Sequence, residues 1–206
     1  MAARLITIEG IDGAGKTTLA AALREALLAR GIDAVALREP GGVALAERIR
    51  SLVKDPGLEI DDRAEALLYA ASRAQLVAER ARPELAAGRW VLLDRYIDSS
   101  LAYQGAGRGL GVEAVRAINE FATGGLAADR TLLLAIDAAA GRRRRGDRGE
   151  GADRLERETD EFFTRIAAGY AALAAAQPQR IRTLDATLPP AALLASALAE
   201  LADLLE

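Results

Sequence analysis

One eight-residue pattern limits what this chain can fold into more than any other feature. Residues 10–17 read Gly-Ile-Asp-Gly-Ala-Gly-Lys-Thr, preceded by the apolar run Leu5 to Ile8 and followed by helical spacing from Thr17 to Arg30. This strand–loop–helix context is the one in which the pattern GxxxxGK[ST] forms a phosphate-binding loop. Its glycines let backbone N–H groups turn toward phosphate oxygens, and the helix adds the positive end of its dipole. The sequence therefore predicts a nucleotide-binding loop.

Two side chains of this loop are predicted to do chemistry. Lys16 can reach the β- and γ-phosphates of a nucleotide, and the Thr17 hydroxyl can ligate Mg²⁺. The alternative is a glycine-rich turn with an exposed lysine, which the match of both motif and context disfavours. The whole predicted nucleotide-binding set is Gly10, Ile11, Asp12, Gly13, Ala14, Gly15, Lys16, Thr17 and Thr18. The Asn-Lys-x-Asp motif usual in GTPases is missing from the sequence, which favours ATP.

The rest of the chain alternates between short apolar runs and helical patterns, which predicts an α/β fold with a parallel sheet covered on both faces. Five strands are expected, at residues 5–8, 34–37, 90–93, 131–136 and 180–184. Helices are expected at residues 17–30, 43–54, 64–82, 97–103, 112–121, 154–176 and 191–204, with a glycine-rich turn at 105–111. With 206 residues and no long linker, we expect one domain over residues 1–206, with a short arginine-rich lid at about 141–153.

Composition excludes several classes of chemistry. The chain has no cysteine and no histidine, so thiol chemistry is excluded and a classical zinc site is disfavoured. The formal charge of −3 gives no reason to expect a nucleic-acid partner. Neither a signal-peptide pattern nor an apolar run of membrane-spanning length is visible, so we expect a cytoplasmic protein without a membrane partner.

Polar clusters follow the second and third predicted strands, at the sheet edge where ligands bind in such folds. The first is Arg38-Glu39-Pro40-Gly41-Gly42, with Arg50 one helix later, and the second is Asp94-Arg95-Tyr96. Tyr69 and Arg73 lie four residues apart and share a helix face. Guanidinium groups bind phosphate in bidentate fashion, so converging arginines could hold a second phosphate-bearing molecule. Each of these features also has a purely structural alternative. Tyr69 and Arg73 could be an ordinary pair on a helix surface, and Asp94 with Arg95 could be a structural ion pair. The arginine run Arg142 to Arg145 could likewise be a solvated stretch of charge without a ligand.

These landmarks together make the chain resemble bacterial thymidylate kinases, a family of P-loop nucleoside monophosphate kinases, over nearly its whole length. Further matching segments are Tyr69-Ala70-Ala71-Ser72-Arg73, Ser99, Ala102-Tyr103-Gln104-Gly105 and Asp153-Arg154. The resemblance implies a three-layer P-loop NTPase fold and transfer of the γ-phosphate of ATP to dTMP, giving dTDP and ADP in dTTP synthesis. It also implies Mg²⁺ as cofactor and a homodimer packed through helices. Two departures are Val43, where the family usually has threonine, and Ala138-Ala139-Ala140, where it often has Pro-Glu.

The resemblance also implies roles for individual residues on the acceptor side. Asp12 would accept the 3′-hydroxyl of the acceptor sugar, and Tyr103 would disfavour a 2′-hydroxyl. The base would stack on Tyr69. The remaining members of the implied substrate-binding set are Arg38, Arg50 and Arg95 at the acceptor phosphate, Arg73 and Gln104 at the base edge, and Ser99.

On the donor side, the resemblance places Asp94 where it could orient Mg²⁺ through water. Some thymidylate kinases carry an arginine inside the phosphate loop, whereas this chain has Gly13 there and arginines in the lid. It therefore resembles the type in which a lid arginine neutralises the transferring group. The residues implied in catalysis are Lys16, Asp12, Arg95, Arg144 and Arg148. The rival functions are a deoxynucleoside kinase and a P-loop switch or partitioning ATPase.

Overall fold

A computed structural model describes residues 2–137, 140–141, 143–144 and 153–205. Its strands form one sheet with the order β2-β3-β1-β4-β5, and every neighbouring pair is parallel. The strands are β1 (Leu5–Glu9), β2 (Ala34–Arg38), β3 (Trp90–Asp94), β4 (Arg130–Ala135) and β5 (Ile181–Asp185). The predicted five-stranded parallel sheet is thus confirmed. Because β3 and β1 are neighbours, the polar residues that follow them meet at one edge of the sheet.

Helices cover both faces of this sheet. The α-helices are α1 (Lys16–Leu28), α2 (Ala44–Lys54), α3 (Asp62–Leu76), α4 (Arg82–Ala86), α5 (Ile97–Ser100), α6 (Val112–Thr123), α7 (Asp160–Ala176) and α8 (Pro190–Ala199). Two π-helical stretches, Val77–Ala81 and Leu101–Gly107, continue α3 and α5, and short 3₁₀ turns occupy Leu155–Arg157 and Ala202–Leu204. Within the described ranges, no helix combines the length and apolar character needed to cross a membrane.

The central strands β3, β1 and β4 are largely apolar because both faces of the sheet are buried there, whereas the edge strands β2 and β5 have exposed positions such as Ala36 and Thr183. Ile6 and Ile8 of β1 point to one face, where they pack with α1 and α8 through residues such as Leu23 and Leu193. Leu5 points to the other face and joins the cluster around Leu76. Helix, sheet and helix therefore form the three predicted layers, and the hydrophobic clusters on the two faces hold the carboxyl ends of the central strands in place.

Several predicted helix boundaries are wrong. The predicted helix 154–176 begins only at Asp160, because the Thr159 hydroxyl accepts the Phe162 N–H at 3.3 Å and so caps the helix there. The predicted helix 191–204 ends as α8 at Ala199. The predicted glycine-rich turn at 105–111 is helical as far as Gly107, where a Cβ would lie 2.8 Å from the Phe162 ring. That glycine permits close helix packing and does not make a turn.

The predicted helix 64–82 is part of a longer helical stretch. It begins at Asp62, because the Asp61 carboxylate accepts the backbone N–H groups of Arg63 and Ala64. It then continues through the π-helical stretch into α4. Most of the predicted lid lies outside the described residues, but residues 140, 141, 143 and 144 have helical backbone. The extent of the lid and the single-domain organisation stay predictions.

Candidate active site

The phosphate loop links β1 to α1 and is built largely from its own backbone. Gly13 and Gly15 have φ of 85° and 95°, in the left-handed region that favours glycine. Among the described residues no side chain caps α1, so its first N–H groups remain available to an anion. A Cβ at Gly15 would meet no described atom within 4 Å. The loop thus has the open, N–H-lined concavity that a phosphate requires.

Lys16 lies buried inside this loop. Its Nζ donates to the Ile11 carbonyl at 2.9 Å and lies 3.9 Å from an Asp12 carboxylate oxygen. Burial, and next the nearby Arg95 cation, lowers the pKa of Lys16 to about 8. The ammonium is therefore poorly solvated, and a phosphate in the loop would be a stronger partner than the carbonyl it contacts.

Gly141, the first residue of the predicted lid, lies directly against the phosphate loop. A Cβ at Gly13 would stand 2.1 Å from the Gly141 carbonyl oxygen, and a Cβ at Gly141 would stand 2.8 Å from the Asp12 carbonyl oxygen. No side chain fits at either position without moving the other segment. The close approach explains physically why an arginine at Gly13 is incompatible with this placement of the lid.

Thr17 and Asp94 form an oxygen pair beside the loop. The Thr17 hydroxyl donates to Asp94 Oδ2 at 2.5 Å, and the β1–β3 pairing places Asp94 opposite Ile8. Hydroxyl and carboxylate oxygens are ligands that Mg²⁺ accepts, and this ion usually keeps several waters when it is bound with nucleotide phosphates. The residues present therefore fit Mg²⁺. In the described part of the chain no three His, Cys, Asp or Glu side chains cluster as a separate metal site.

Arg95 lies between the phosphate loop and a neighbouring cavity. It has a φ of 74°, a strained value for a residue with a side chain. Its guanidinium donates to Asp12 Oδ1 at 2.7 Å and to the Gly10 carbonyl at 3.1 Å. It also contacts the Ser99 hydroxyl at 3.1 Å and lies 5.0 Å from the centre of the Tyr103 ring. The predicted residues Asp12, Arg95, Ser99 and Tyr103 are thus brought together.

Glu9, at the end of β1, is a buried carboxylate that the sequence analysis did not identify. Its two oxygens accept the Tyr96 backbone N–H at 2.7 Å and the hydroxyls of Ser99 at 2.5 Å and Tyr170 at 3.1 Å. Burial, and next the charge of Asp98, raises the pKa of Glu9 to about 7. This carboxylate fixes the backbone directly after Arg95 and the Ser99 hydroxyl that contacts the Arg95 guanidinium. The Glu9-Gly10 pair was visible in the sequence, but the distant partners were not.

A cavity lies beyond Arg95, and Tyr69 and Arg73, which the helix spacing places on one face, both line it. We call it the acceptor cavity, after the second phosphate-bearing molecule that the sequence predicts. Arg73 is only 1% exposed, however. It bonds Glu39 through Nε at 2.7 Å and Nη2 at 2.6 Å. The remaining N–H groups meet Ser100, Asn119 and the Tyr96 carbonyl, so all five are engaged. Arg73 thus shapes the cavity wall as part of a buried network.

Gln104, the other residue implied at the base edge, also lines the acceptor cavity, and its amide donates to Glu65 at 2.9 Å. Sequence reasoning missed several neighbours in this cavity. They are Lys54, Ser100, Leu155 and Glu156, together with Asp153, which was quoted only as a landmark. The run Asp153 to Glu156 directly after the lid was the available signal. For Lys54, which pairs with Asp153 at 2.9 Å, the sequence offered none.

A basic cavity adjoins the acceptor cavity and contains the phosphate loop. Arg38 and Arg50 reach it from β2 and α2. Arg38 is half-exposed and paired with Glu47 at 2.8 Å, while Arg50 donates to the Pro40 carbonyl at 2.9 Å. The cavity also contains Asp12, Gly13, Gly15, Lys16, Thr17, Thr18, Lys54, Asp94, Arg95 and Arg144. This concentration of cations suits several phosphates held side by side.

A third, mainly apolar cavity lies on the far side of the loop. Leu19, Leu188 and Leu193 line it, together with Ala14, Gly15 and Thr18. Arg144 stands between this cavity and the basic one, and donates to the Ala186 carbonyl at 2.7 Å. The predicted catalytic Arg148 lies outside the described residues.

The three cavities lie in a row, and each neighbouring pair shares lining residues. Asp12 and Arg95 border both the acceptor and basic cavities, and Gly15 and Thr18 border both the basic and apolar cavities. Such an arrangement can hold two nucleotides with their phosphates facing each other across the loop. Fold and site together define a P-loop phosphotransferase with a nucleotide acceptor.

Comparisons with known proteins narrow this class. A sequence model described as thymidylate kinase matches residues 8–196. The thymidylate kinase of Deinococcus radiodurans is 52% identical over 89% of this chain and 89% of its own length. That of Halorhodospira halophila is 46% identical over 97% of this chain and 94% of its own. The crystal structure of thymidylate kinase from Ehrlichia chaffeensis superposes with a TM-score of 0.80 at 26% identity, covering 98% of this chain and all of that one. The chain belongs to the thymidylate kinase family.

Proposed function

We propose that this protein transfers the γ-phosphate of ATP to dTMP, giving dTDP and ADP as a step of dTTP synthesis. The observation that carries this proposal is the row of three adjoining cavities around one phosphate loop, with Asp12 and Arg95 on the shared wall. Membership of the thymidylate kinase family supports dTMP as the acceptor and ATP as the donor.

On the donor side, the apolar cavity would take the adenosine and the loop its phosphates. Lys16 exchanges its bond to the Ile11 carbonyl for phosphate oxygens and stabilises the charge of the transferring group. Thr17 and Asp94 would hold Mg²⁺, directly or through water. When bound, Mg²⁺ neutralises charge on the phosphate oxygens. Arg144, and Arg148 from the lid, supply the guanidinium that Gly13 cannot.

On the acceptor side, Arg38, Arg50 and Arg95 bind the phosphate of dTMP. This phosphate is already ionised at neutral pH, so transfer needs position and charge more than a general base. The Asp12 carboxylate accepts a hydrogen bond from the 3′-hydroxyl of the deoxyribose. Tyr103 packs edge-on against the rings of Phe162 and Tyr170, which supports a fixed position from which it would crowd a 2′-hydroxyl. Ser99 supports Arg95, and Tyr69 with Arg73 and Gln104 encloses the base.

The family resemblance further leads us to propose a cytoplasmic homodimer. Exposed apolar side chains support the helix face as the contact. Phe121 of α6 is 92% exposed and Leu67 of α3 is 56% exposed, and these two helices pack on each other. Size-exclusion chromatography with light scattering should give twice the chain mass, and Phe121→Lys should shift it toward the monomer. A wild-type monomer at micromolar concentration would contradict this part of the proposal.

An ADP-release screen tests the reaction. It compares dTMP, dUMP, TMP, CMP, UMP, AMP, GMP and thymidine as acceptors at fixed ATP and Mg²⁺. We expect dTMP to exceed dUMP by roughly 10–200-fold in kcat/KM, the range that one methyl in a pocket allows. TMP, here the ribonucleotide that carries a 2′-hydroxyl, should have a much lower kcat/KM than dTMP. A higher kcat/KM for CMP or AMP than for dTMP would overturn the proposal.

The same screen separates the two rival functions. A deoxynucleoside kinase would prefer thymidine, and a switch or partitioning ATPase would release ADP slowly without any acceptor. The arginines around the basic cavity favour a phosphorylated acceptor, because a neutral nucleoside has no group to pair with Arg38 and Arg50.

A further inference from the structure

A buried carboxylate behind the acceptor cavity has no role in the reaction described so far. Glu65 of α3 has no solvent exposure and accepts four hydrogen bonds from three side chains. Arg108 donates to both of its oxygens, at 3.2 and 3.0 Å. Arg154 donates to Oε2, and the Gln104 amide donates to Oε1 at 2.9 Å. Burial alone would raise the pKa of Glu65, but the bonds from Arg108, Gln104 and Arg154 outweigh it and leave the pKa below its usual value.

An ionised carboxylate dictates how its amide neighbour is oriented. Glu65 has no proton to donate, so Gln104 must turn its NH₂ group toward Glu65 and its Oε1 away. Gln104 lines the acceptor cavity with Tyr69 and Ser100. Among the hydrogen bonds of the described residues, none is donated to Gln104 Oε1. The cavity therefore presents a fixed hydrogen-bond acceptor at this point of its wall.

We propose that Glu65 is a specificity-determining positioning residue: by holding the Gln104 amide it presents an oxygen to the base and selects a pyrimidine that carries an N3–H. Thymine and uracil donate from N3, whereas cytosine has a lone pair there that would face the Gln104 oxygen. Two acceptors in contact without a proton leave both unsatisfied in a buried place. This inference rests on the proposed function, since it concerns the base of the dTMP site.

The test is the ratio of dissociation constants for dCMP and dTMP, measured by displacement of a fluorescent dTMP analogue. Four proteins are compared: wild type, Glu65→Gln, Gln104→Met and the double variant. A neutral glutamine at position 65 can donate or accept, so the Gln104 amide is free to rotate and bind cytosine. We expect Glu65→Gln to lower the discrimination about 5- to 100-fold. The same substitution should change the ratio less than twofold in the Gln104→Met background, since no amide remains to be oriented.

Glu158→Gln is the matched control. Glu158 bonds Arg108 at 2.6 Å in the same ionic cluster but does not bond Gln104. A general loosening of the cluster should weaken dTMP and dCMP alike in both variants, whereas the proposed role changes the ratio only for Glu65. If Glu65→Gln does not fold, Glu65→Asp keeps the charge and withdraws the carboxylate from the Gln104 amide.

Two results would overturn the inference: an unchanged ratio in the folded Glu65 variant, or an equal loss of discrimination with and without Gln104. Failure of the proposed function looks different, because wild type would then fail to phosphorylate dTMP at all. If wild type prefers dTMP but the ratio of the dissociation constants for dCMP and dTMP does not change on substitution of Glu65, only the inference about Glu65 is rejected and the proposed function stands.

Discussion

The phosphate loop and the acceptor cavity meet at Asp12 and Arg95, but they are assembled differently. The loop is a contiguous segment whose geometry comes from glycine backbone, with Lys16 bonded to a carbonyl five residues earlier. The acceptor cavity joins side chains from the segment after β2, from α2 and α3, from the Leu101–Gly107 stretch and from the segment after the predicted lid. Its shape depends on buried polar pairs, such as Arg73 with Glu39, that span long stretches of sequence. A local site tolerates change elsewhere, whereas a distributed one depends on the fold that gathers it.

The largest expected effect concerns the lid side of the loop. Arg144→Ala should lower kcat by about 10³-fold or more, with a far smaller change in KM for dTMP, because a guanidinium that neutralises the transferring phosphoryl group acts mainly in the transition state. Arg143→Ala is the neighbouring control, since Arg143 is exposed and does not line the basic cavity. Steady-state kinetics check both. If kcat of Arg144→Ala stays within a few-fold of wild type, Arg144 does not neutralise the phosphoryl group that the phosphate loop holds.

The acceptor cavity, whose residues come from distant parts of the chain, should lose its shape when the protein is destabilised, so a substitution in its buried network should lower the free energy of unfolding. Arg73→Ala leaves Glu39 as an unpaired buried carboxylate and should reduce the free energy of unfolding by about 3–5 kcal/mol. Glu25→Ala, which removes an exposed partner of Arg24, should change it by less than about 0.5 kcal/mol. Urea unfolding of the three proteins gives the comparison. Equal stability of Arg73→Ala and wild type would show that the buried network does not hold the cavity wall.

A substitution in the phosphate loop should lower the catalytic rate while the protein stays folded. Lys16→Ala should reduce kcat about 10²–10³-fold, since it removes a cation from the transferring phosphate. Its thermal midpoint should not fall, because the charged side chain is buried at some cost. Circular dichroism and kinetics on one preparation separate the two effects. A well-folded Lys16→Ala enzyme with near-normal kcat would refute the role of the loop lysine.

The smallest expected effect tests the junction of the two regions through pH. The folded pKa of Glu9 is raised from 4.5 to about 7, so the native state binds this proton more tightly than the unfolded state. The resulting stabilisation is present below pH 4.5 and is lost as pH rises through about 7. Relative to Glu9→Gln, wild type should therefore lose roughly 3 kcal/mol across this window. A difference between the two proteins that does not vary with pH would place the Glu9 pKa near its ordinary value.

The sequence predicted the local region far better than the distributed one. Strand bounds were predicted to within one residue because short apolar runs between helical patterns mark the strands, and the loop was predicted because its eight residues are contiguous. The spacing of Tyr69 and Arg73 correctly placed both on one cavity. It could not reveal that the guanidinium of Arg73 is fully engaged, because Glu39 and Asn119 lie 34 and 46 residues away. Glu9 and Glu65 escaped notice for the same reason, since their partners are defined only by the folded chain.

The ion pair between Asp12 and Arg95 has a thermodynamic consequence for the two substrates. Asp12 belongs to the loop that would hold the donor, and Arg95 belongs to the wall that would hold the acceptor phosphate. A ligand that draws either group away from the other changes the energy of the pair, and so the affinity at the second site. Such coupling is reciprocal: whatever factor ATP imposes on the affinity for dTMP, dTMP must impose on the affinity for ATP.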